Sequence, residues 1–366
     1  MNKNYDIAVI FGGVSGENEV SVITGALCCN VLKKGGKSVL PVYIDHSGDV
    51  RADERLADIS LYKGEGYKKL PLCTFEKGGV VIFGRGGKVK ARCRVDCVLN
   101  CCHGGVCEGG AVAGLAALCG IPFASAGMFE SAAFMDKYLT KLVLSGLNVN
   151  TAEYAYSTDI GGAIAAAEGL GYPVIVKPVT LGSSIGIAVA NNKKELLDAL
   201  ETAFILDGGV LIEEYISPRR EINCAAYFRG GRVITSPCEE FTSAGAVLSY
   251  DDKYSGGGTR TFPAKLEENI AEAIRAETAF VYSALNMRGI VRFDYILRGD
   301  DIILSEINTV PGSLSHYLLS SSYGDFYKVL EGLIEEGKKD FALRTEKKVI
   351  TTGILNNLTS NACKMK

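Results

Sequence analysis

Short apolar runs alternate with amphipathic stretches along the first third of the chain. The run DIAVIFGG is followed by helical periodicity from about Glu19 to Lys33, and then by a second apolar run, SVLPVYID. The later run VDCVLNCC precedes the helical segment AVAGLAALCG. Buried strands that alternate with helices are typical of a parallel α/β sheet. The pattern therefore predicts an N-terminal α/β domain over residues 1–127.

A helical run, FESAAFMDKYLTKLVLSGL, opens a second unit predicted over residues 128–217. That unit continues with the strand YPVIVKP, the turn TLGSSIG, the strand IAVA, the helix KKELLDALETAFI and the strand GVLIEEYI. A third unit, residues 218–335, holds the strand EINCAAYF, the polar stretch SYDDKYSGGGTR, a long helix from Glu267 to Leu285 and the hairpin RFDYILRGDDIILSEIN. Residues 336–366 are expected to form a polar tail of unknown role.

The hairpin carries polar side chains among residues with the pattern of buried strand. Arg292 and Asp294 are two residues apart, as are Glu306 and Asn308, so each pair projects from one face of its strand. If pairing is symmetric about residue 300, Asp294 lies opposite Glu306 and Arg292 opposite Asn308. This register requires an odd number of loop residues, because a two-residue turn would move the second pair to the other face. Three oxygen ligands on one wall suit Mg²⁺, and the alternative is a structural salt-bridge cluster.

The segment VIVKPVTLGSSIGIAV offers backbone N–H groups and hydroxyls that suit phosphate oxygens. Lys177 closes the preceding strand, and Lys137 in the helical run before it is a second candidate cation. The spacing differs from G-x-x-x-x-G-K-[ST], and the loop joins two strands, so it is not a Walker A loop. Taken alone, this segment fits a plain β-hairpin as well as it fits a phosphate-binding loop. Beside a magnesium site, a loop that covers nucleotide phosphates is favoured.

The first glycine-bearing turn, FGGVSGENEVS, does not fit the dinucleotide pattern G-x-G-x-x-G. Only Asp45 stands near the place where that pattern needs an acidic residue, so a nicotinamide oxidoreductase is the weakest alternative. Glu17 begins the helix that follows. It is either a first-turn carboxylate favoured by the helix dipole or a ligand for the ammonium group of a substrate.

Composition narrows the class of protein. The chain has 366 residues, enough for two or three domains, and is 47% hydrophobic and 22% charged, as is ordinary for a globular protein. Its net charge of −3 does not favour nucleic acid or a membrane surface as a partner. No run of 18 apolar residues and no signal-peptide core are seen, so we expect a cytoplasmic protein.

Twelve cysteines are scattered among apolar strand and helix residues. Small buried hydrophobes in a reducing compartment are the simplest interpretation. One group is denser, and its members are Cys93, Cys97, Cys101, Cys102, His103 and Cys107. It contains no C-x-x-C pair, and a metal- or redox-sensing site is the alternative. We expect neither a bound metal nor a disulfide there.

Taken together, these segments resemble the D-alanine–D-alanine ligases of the ATP-grasp superfamily, over roughly Asp6 to Glu335. The matching signatures are FGGVSGENEVS, the HG of HGGVCEGG, GIPFASAG with MDK following, VIVKP with LGSSIG, VLIEEYI, DDKY, RFD and EINTVPGSLSH. The resemblance implies an α/β, three-domain ATP-grasp architecture. It implies an ADP-forming ligase that joins two D-alanines through an acyl phosphate for peptidoglycan synthesis. The alternative is a related ligase whose acceptor is D-serine, D-lactate or another amino acid.

The resemblance also places functional residues on this chain, motif by motif. ATP is implied at Lys137, Lys177, Ser183, Ser184, Glu213, Tyr215, Ile216, Glu221 and Lys253. Mg²⁺, two ions in most relatives and replaceable by Mn²⁺, is implied at Asp294, Glu306 and Asn308. The amino-acid substrates are implied at Glu17, His103, Ser313 and Tyr317. The implied catalytic residues are Glu17, Ser183, Tyr254, Arg292 and Gly312, and a homodimer is implied as well.

Within these sets, the resemblance implies finer roles. Glu213 and its neighbours hold the adenine and Glu221 the ribose, while Glu17 receives the ammonium group of the first D-alanine. Ser183 and Tyr254 join Glu17 in tying a mobile loop over the site. Arg292 and the backbone at Gly312 stabilise an oxyanion. SYDDKYSGGGTR is suited to closing as a lid that excludes water.

Two departures from the family pattern fall on the substrate side. The family reads H-G-x-x-G-E-D-G, whereas Cys107 and Gly109 stand here for the second Gly and the Asp. Tyr317 stands where the family has a small serine near the carboxylate of the second substrate. In the resembling family, a lid tyrosine such as Tyr254 accompanies D-alanine as acceptor, and a lid histidine accompanies D-lactate. The resemblance therefore predicts a dipeptide product over a depsipeptide.

Overall fold

The protein, seen in a computed structural model, is described over residues 2–242, 258–346 and 352–353. The strands of these residues are β1 (Asn2–Tyr5), β2 (Ile7–Gly12), β3 (Val39–Ile44), β4 (Val50–Ala52), β5 (Cys73–Glu76), β6 (Gly79–Phe83), β7 (Val89–Val95), β8 (Val98–Asn100), β9 (Tyr154–Ser157), β10 (Val174–Pro178), β11 (Ala188–Ala190), β12 (Val210–Glu214), β13 (Arg220–Arg229), β14 (Arg232–Thr235), β15 (Glu239–Thr242), β16 (Thr259–Thr261), β17 (Ile290–Arg298) and β18 (Asp301–Asn308). The α-helices are α1 (Asn18–Lys34), α2 (Val112–Leu118), α3 (Met128–Met135), α4 (Lys137–Gly146), α5 (Ile160–Leu170), α6 (Lys193–Leu206), α7 (Glu268–Ala284), α8 (His316–Leu319) and α9 (Tyr323–Thr345). Within this described part, none of the helices has the length and apolar character needed to cross a membrane.

The N-terminal sheet has the strand order β4-β3-β2-β8. β2 pairs in parallel with both β3 and β8, and only the edge strand β4 is antiparallel. All six residues of β2 are buried, as expected for a strand covered on both faces. The predicted parallel α/β core is confirmed. The predicted single strand VDCVLNCC is wrong in detail, because β7 ends at Val95 and β8 begins at Val98.

A second sheet, with the order β1-β7-β6-β5, lies beside the first. Most of it comes from the Gly- and Lys-rich middle of the first third of the chain, where the sequence pattern predicted no strands. In β7 the outer half is exposed and only Cys93 and Val95 are buried. A strand with so few buried side chains carries little of the alternation on which a prediction depends.

The central sheet (β11-β10-β12-β9) is antiparallel throughout. Helices α5 and α6 cover one of its faces with alanine and leucine side chains. The predicted continuous helix before this sheet is broken between α3 and α4. Asp136 is the cause, because its backbone is extended and its carboxylate accepts a hydrogen bond from the N–H of Leu139 at 2.9 Å.

The C-terminal sheet has the order β16-β15-β13-β17-β18, and β14 pairs with β13. In its β17–β18 hairpin, Asp294 lies opposite Glu306 and Arg292 opposite Asn308, as predicted. The predicted odd-length loop is wrong, because Arg298 pairs with Asp301 across a two-residue turn. A β-bulge between this turn and Asp294 inserts one extra residue and restores the register.

The C-terminal helix α9 returns to the start of the chain. Its side chains Phe326, Leu330 and Ile334 share one buried cluster with Ile7 and Leu32 of the N-terminal sheet and its helix. The predicted boundary at residue 335 falls inside α9, and the division of the chain into domains stays a prediction. The sheets and helices of all three regions meet around a single large cavity in the described part of the chain.

Candidate active site

The cavity has a volume of about 480 Å³. Seventeen residues singled out from the sequence line it, namely Glu17, His103, Lys137, Lys177, Ser183, Ser184, Glu213, Tyr215, Ile216, Glu221, Arg292, Asp294, Glu306, Asn308, Gly312, Ser313 and Tyr317. Lys253 and Tyr254 lie outside the described residues. The structure therefore brings together, in one place, every described residue to which the family resemblance gave a role.

The β17–β18 hairpin forms one wall of this cavity. Arg292 donates two hydrogen bonds to the two oxygens of Asp294, at 2.6 and 2.8 Å, and Asn308 donates a third at 3.0 Å. Burial alone would lower the pKa of Arg292, but the charge of Asp294 raises it well above its ordinary value. The bulge turns both Ser305 and Glu306 toward the cavity.

The donor set of this wall fits Mg²⁺. Two carboxylates and one amide provide hard oxygen ligands. Among the described residues, no three His, Cys, Asp or Glu side chains converge as a complete metal site. An incomplete set suits Mg²⁺ all the same, since this ion ordinarily combines one or two carboxylates with water and substrate phosphates.

A buried ion triad lies on the side of the cavity that β10 and β12 form. Glu213 on β12 is 3% exposed, and one of its oxygens is 2.7 Å from Nζ of Lys141 while the other contacts Lys177. Burial alone would raise the pKa of Glu213, but Lys177 and Lys141 outweigh it and lower that pKa to about 2. Lys141 was missed in the sequence. The sequence feature that could have identified Lys141 is its four-residue spacing from Lys137, which places both lysines on one face of α4.

The loop between β10 and β11 covers the same side of the cavity. Ser183 and Ser184 both adopt left-handed backbone conformations, with φ of 51° and 59°. Lys137 donates a hydrogen bond to the carbonyl oxygen of Leu181, and the hydroxyl of Ser183 donates one to Glu17. Successive unusual backbone conformations of this kind occur where surrounding contacts hold a loop in a functional shape.

Glu17 stands at the first turn of α1, where three segments meet. A Cβ atom at Gly104 or at Gly182 would lie only 2.6 or 2.7 Å from Oε2 of Glu17. Gly104 also has a φ of +69°, which other residues rarely adopt. The two glycines therefore leave room for the carboxylate in its observed place, and the contact with Ser183 joins the first turn of α1 to the β10–β11 loop.

His103 is buried beside the same helix. Its Nε2 lies 2.8 Å from the hydroxyl of Thr24, which also accepts a hydrogen bond from the N–H of Ser313 at 3.0 Å. Burial lowers the pKa of His103 to about 4. Thr24 was not singled out in the sequence, although its seven-residue spacing from Glu17 places both on one face of α1.

Glu108 keeps its family position between the two departures, Cys107 and Gly109. It accepts a hydrogen bond from the N–H of Gly104 at 2.6 Å. Burial, with the carboxylates of Glu17 and Glu306 nearby, raises the pKa of Glu108 to about 8. A neutral carboxylic acid at pH 7 can stand close to other carboxylates without repulsion.

One side of the cavity is lined by residues of β12, β13 and the segment between them. Arg219 donates two hydrogen bonds to Glu221, at 3.0 and 2.9 Å, and its guanidinium lies 5.1 Å from the ring centroid of Tyr215. A flat cation over an aromatic face is a stable arrangement. It gives this end of the cavity a planar surface with a carboxylate beside it.

The rings of Tyr317 and Phe241 flank the guanidinium of Arg260. Arg260 also lines the cavity and was missed in the sequence. The only sequence feature that could have identified Arg260 is its position as the cation at the end of the polar stretch SYDDKYSGGGTR.

The cysteine group does not converge on one point. Cys97 and Cys101 belong to one buried cluster, whereas Cys93, Cys102 and Cys107 belong to another. All described cysteines are free thiols. Their burial supports the interpretation as small hydrophobes, and the absence of a bound metal stays a prediction.

Two family models match the chain. One, described as D-ala D-ala ligase N-terminus, matches residues 6–126, and the other, D-ala D-ala ligase C-terminus, matches residues 149–335. The D-alanine–D-alanine ligase of Thermosipho melanesiensis is 30% identical, over 94% of this chain and 96% of its own length. That of Chlorobium limicola is 32% identical, over 84% of this chain and 88% of its own.

Solved structures of ligases of this kind are also similar to the chain. The D-alanine–D-alanine ligase of Helicobacter pylori aligns with a TM-score of 0.75 at 28% identity, covering 90% of this chain and 98% of that one. The VanG D-Ala:D-Ser ligase of Enterococcus faecalis aligns with a TM-score of 0.78 at 27% identity, covering 91% and 100%. The fold is thus the ATP-grasp fold, and the chain belongs to the D-alanine–D-alanine ligase family.

Proposed function

We propose that this protein joins two D-alanines into D-alanyl-D-alanine, with ATP converted to ADP and phosphate, for peptidoglycan precursor synthesis in the cytoplasm. The observation that carries the proposal is the single cavity that holds the carboxylate wall, the lysines and the Glu17–Ser183 contact together. Making an amide from a carboxylate and an amine needs activation and attack at one carbon. One enclosed site for both steps meets that need.

In the first step, the γ-phosphoryl group of ATP is transferred to the carboxylate of the first D-alanine, which gives an acyl phosphate and ADP. Lys137 and Lys177 neutralise charge at the transferring phosphoryl group. Asp294, Glu306 and Asn308 would hold Mg²⁺, as one or two ions that Mn²⁺ could replace, and the bound metal would supply further neutralisation there. Glu17 receives the ammonium group of the same substrate.

In the second step, the neutral amine of a second D-alanine attacks the acyl carbon, and phosphate leaves. Negative charge develops on the carbonyl oxygen, where Arg292 and the N–H of Gly312 stabilise it. Water would hydrolyse the acyl phosphate. The lid role of residues 249–260, with Tyr254 as its tie to Ser183 and Glu17, is a part of the proposal that rests on the family resemblance.

ATP is proposed to bind along the β10–β12 side of the cavity. The adenine lies near Glu213, Tyr215 and Ile216, and the ribose hydroxyls are received by Glu221. The phosphates lie under Ser183 and Ser184, with Lys253 added from the lid. Lys141 and Lys177 already contact both oxygens of Glu213. Glu213 is therefore proposed to affect ATP binding in large part by holding Lys177 in place.

The acceptor is proposed to be D-alanine. The two structural neighbours above differ in acceptor by their titles, so likeness of fold does not choose between D-alanine and D-serine. The two sequence relatives, which span most of this chain, are both D-alanine–D-alanine ligases. His103, Ser313 and Tyr317 are the residues proposed to contact the amino-acid substrates, and the active form is proposed to be a homodimer.

A phosphate-release assay tests this proposal. The protein is incubated with ATP, Mg²⁺ and, in turn, D-alanine, D-serine, D-lactate and their L-forms, and products are identified by mass spectrometry. We expect phosphate release with D-alanine alone, D-alanyl-D-alanine as the product and little depsipeptide when D-lactate is added. Release that requires D-serine or D-lactate beside D-alanine would assign the alternative acceptor. Light scattering on the same sample measures the oligomeric state.

A further inference from the structure

The proposed reaction leaves one substrate charge without a partner. The first D-alanine loses its carboxylate charge when it becomes an acyl phosphate. The second D-alanine reacts through its amine, so its own carboxylate stays ionised from binding to product release. A carboxylate taken from water into a partly enclosed cavity needs a charge-assisted hydrogen bond in return.

The cavity offers few cations for this purpose. Those among its described lining residues are Lys137, Lys177, Arg219, Arg260 and Arg292. Four of them have committed partners, since Lys177 contacts Glu213, Arg219 binds Glu221, Arg292 binds Asp294 and Lys137 donates to the carbonyl of Leu181.

Arg260 differs from these four. Its closest carboxylate oxygen among the described residues belongs to Glu239 and is 4.0 Å away, beyond hydrogen-bonding distance. Its guanidinium carbon lies 5.2 Å from the ring centroid of Tyr317 and 5.7 Å from that of Phe241. Aromatic contacts occupy the face of a guanidinium and leave the N–H groups at its edge free to bind a carboxylate with two bonds.

The place of Arg260 also fits the second substrate. It is carried by the edge strand β16 of the C-terminal sheet, whereas Lys177 and Glu213 belong to the central sheet. Tyr317, which it contacts, is close enough to Arg292 for each to affect the other's charge state. Arg260 is therefore near the proposed oxyanion position at Arg292, on a different sheet from the proposed phosphate lysine Lys177.

We propose that Arg260 binds the carboxylate of the acceptor amino acid, and that Tyr317 and Phe241 hold its guanidinium in place for this task. Arg260 is then a specificity-determining residue, which selects acceptors with a free carboxylate next to the amine. The inference rests on the proposed function. It also gives Tyr317, which departs from the family serine, a definite part in acceptor binding.

A competition between D-alanine and D-alaninamide tests the inference. D-Alaninamide has the same amine and methyl group but no carboxylate, so it can act only as an acceptor. The enzyme, ATP and Mg²⁺ are incubated with both compounds, and the ratio of dipeptide to dipeptide amide is measured by mass spectrometry. This ratio reports the relative kcat/KM for the two acceptors and does not depend on how much enzyme is folded or on how fast the donor is activated.

We expect Arg260→Gln to lower the ratio about tenfold relative to the unaltered protein, because one charge-assisted contact to a carboxylate at a half-exposed site has about that effect. Arg260→Lys, which keeps the charge but not the paired N–H groups, should give an intermediate ratio. The matched control is Arg220→Gln on β13 of the same sheet, where the arginine binds Glu240 outside the cavity lining. That variant should leave the ratio unchanged.

Three outcomes would count against the inference, and each is distinct. An unchanged ratio in Arg260→Gln, with unchanged yields of both products, shows that the residue does not recognise the carboxylate. An unchanged ratio with equal loss of both products shows that Arg260 only positions the neighbouring rings. Absence of any dipeptide with the unaltered protein removes the proposed function itself, and the inference falls with it.

Discussion

At the scale of single residues, the cavity keeps its buried charges in place by pairing them. Glu213 stays ionised although it is 3% exposed, because one lysine contacts each of its oxygens. Lys141 is itself 2% exposed on its side chain, and burial lowers its pKa. Its charge is directed at Glu213, so its expected role is to hold that carboxylate and, through it, Lys177.

Lys141→Met should remove this support while filling similar space. Breaking one partner of a buried pair costs about 3–5 kcal/mol, and the remaining carboxylate should draw Lys177 away from the nucleotide. We expect a lower unfolding temperature and a KM for ATP raised about tenfold, measured by calorimetry and steady-state kinetics. Lys141→Arg should recover much of the unfolding temperature and of the KM for ATP. Lys193→Met, at an exposed ion pair of the same region, should change neither quantity. A normal KM for ATP in Lys141→Met would contradict the role.

Neutralising the carboxylate wall should stop turnover. Asp294→Asn and Glu306→Gln each remove a proposed metal ligand, so ATP- and D-alanine-dependent phosphate release should fall by more than a hundredfold, which is about 3 kcal/mol of transition-state stabilisation. Crowded carboxylates repel, so neutralising one of them should not by itself reduce stability. Asp294 differs, because in Asp294→Asn one oxygen becomes an NH2 group, and Arg292 would lose one of its two hydrogen bonds and the charge of its partner.

We therefore expect Asp294→Asn to lower the free energy of unfolding by about 2 kcal/mol in metal-free buffer. Urea denaturation of both variants measures this difference. Near-normal ligation by either variant would remove its residue from the metal site.

His103 makes stability depend on pH in a defined direction. Its pKa is about 4 in the folded protein and 6.5 ordinarily, so between these values the unfolded chain binds a proton that the folded one does not. Its contribution to stability is complete above pH 6.5 and is lost as the pH falls toward 4. His103→Gln, which can still hydrogen-bond Thr24, should lose less stability than the unaltered protein between pH 7 and 4.5. Urea midpoints at the two pH values test this, and exposed His46→Gln is the control. If all three proteins lose the same stability between pH 7 and 4.5, groups other than His103 cause the loss.

At the scale of elements, the β17–β18 hairpin shows what a sequence pattern can and cannot give. Spacing and alternation predicted which residues face each other, and the structure confirms Asp294 opposite Glu306. The loop length was wrong, because a two-residue turn and a bulge together give the same register as an odd loop would. The bulge is hard to recognise from the alternation of polar and apolar residues, because the extra residue, Ser305, is polar and faces the cavity like Glu306.

Deleting Ser305 should therefore give a regular hairpin in which Asp294 still lies opposite Glu306. Deleting Leu304 instead shortens the strand equally but puts the serine hydroxyl into a fully buried site opposite Tyr295. We expect the second deletion to be less stable than the first by about 3 kcal/mol. Urea denaturation of the two proteins measures the difference. Equal stability would show that the bulge is not the source of the register.

Elements with weak local signals were the ones missed or misjudged. The strands β5 and β7 have few buried positions, and the break between α3 and α4 depends on one capping aspartate. Strong signals, such as the fully buried β2 or the charged helix α6, were recognised close to their observed bounds.

At the scale of the whole molecule, the site depends on contacts between residues that are distant in the sequence. Family motifs predicted many of the residues that line the cavity, but not Arg260, and not Thr24 or Lys141, which contact lining residues from behind. Each of these acts on a residue from another segment, as Thr24 does on Ser313, and such contacts arise only when the sheets pack together. Local periodicity does not contain that information.

Because the cavity is lined from the start, middle and end of the chain, its ligands should stabilise the whole fold. A non-hydrolysable ATP analogue with Mg²⁺, at about a hundred times its Kd, should add about 2.7 kcal/mol to the free energy of unfolding. Thermal unfolding followed by fluorescence measures the shift. EDTA should remove most of it, and Asp294→Asn should show little difference with and without the ion. A shift that survives EDTA would place the phosphates away from the carboxylate wall.

The hydrogen bond between Ser183 and Glu17 has a further consequence. One partner belongs to the loop proposed to cover the phosphates of ATP, and the other is proposed to receive the ammonium group of the donor. Anything that fixes one side of this bond lowers the entropy lost when the other side is fixed. Binding free energies are reciprocal, so the factor by which ATP tightens the donor must equal the factor by which the donor tightens ATP. A single serine hydroxyl thus gives the two co-substrates positive cooperativity, and favours a fully loaded enzyme over one that holds ATP alone.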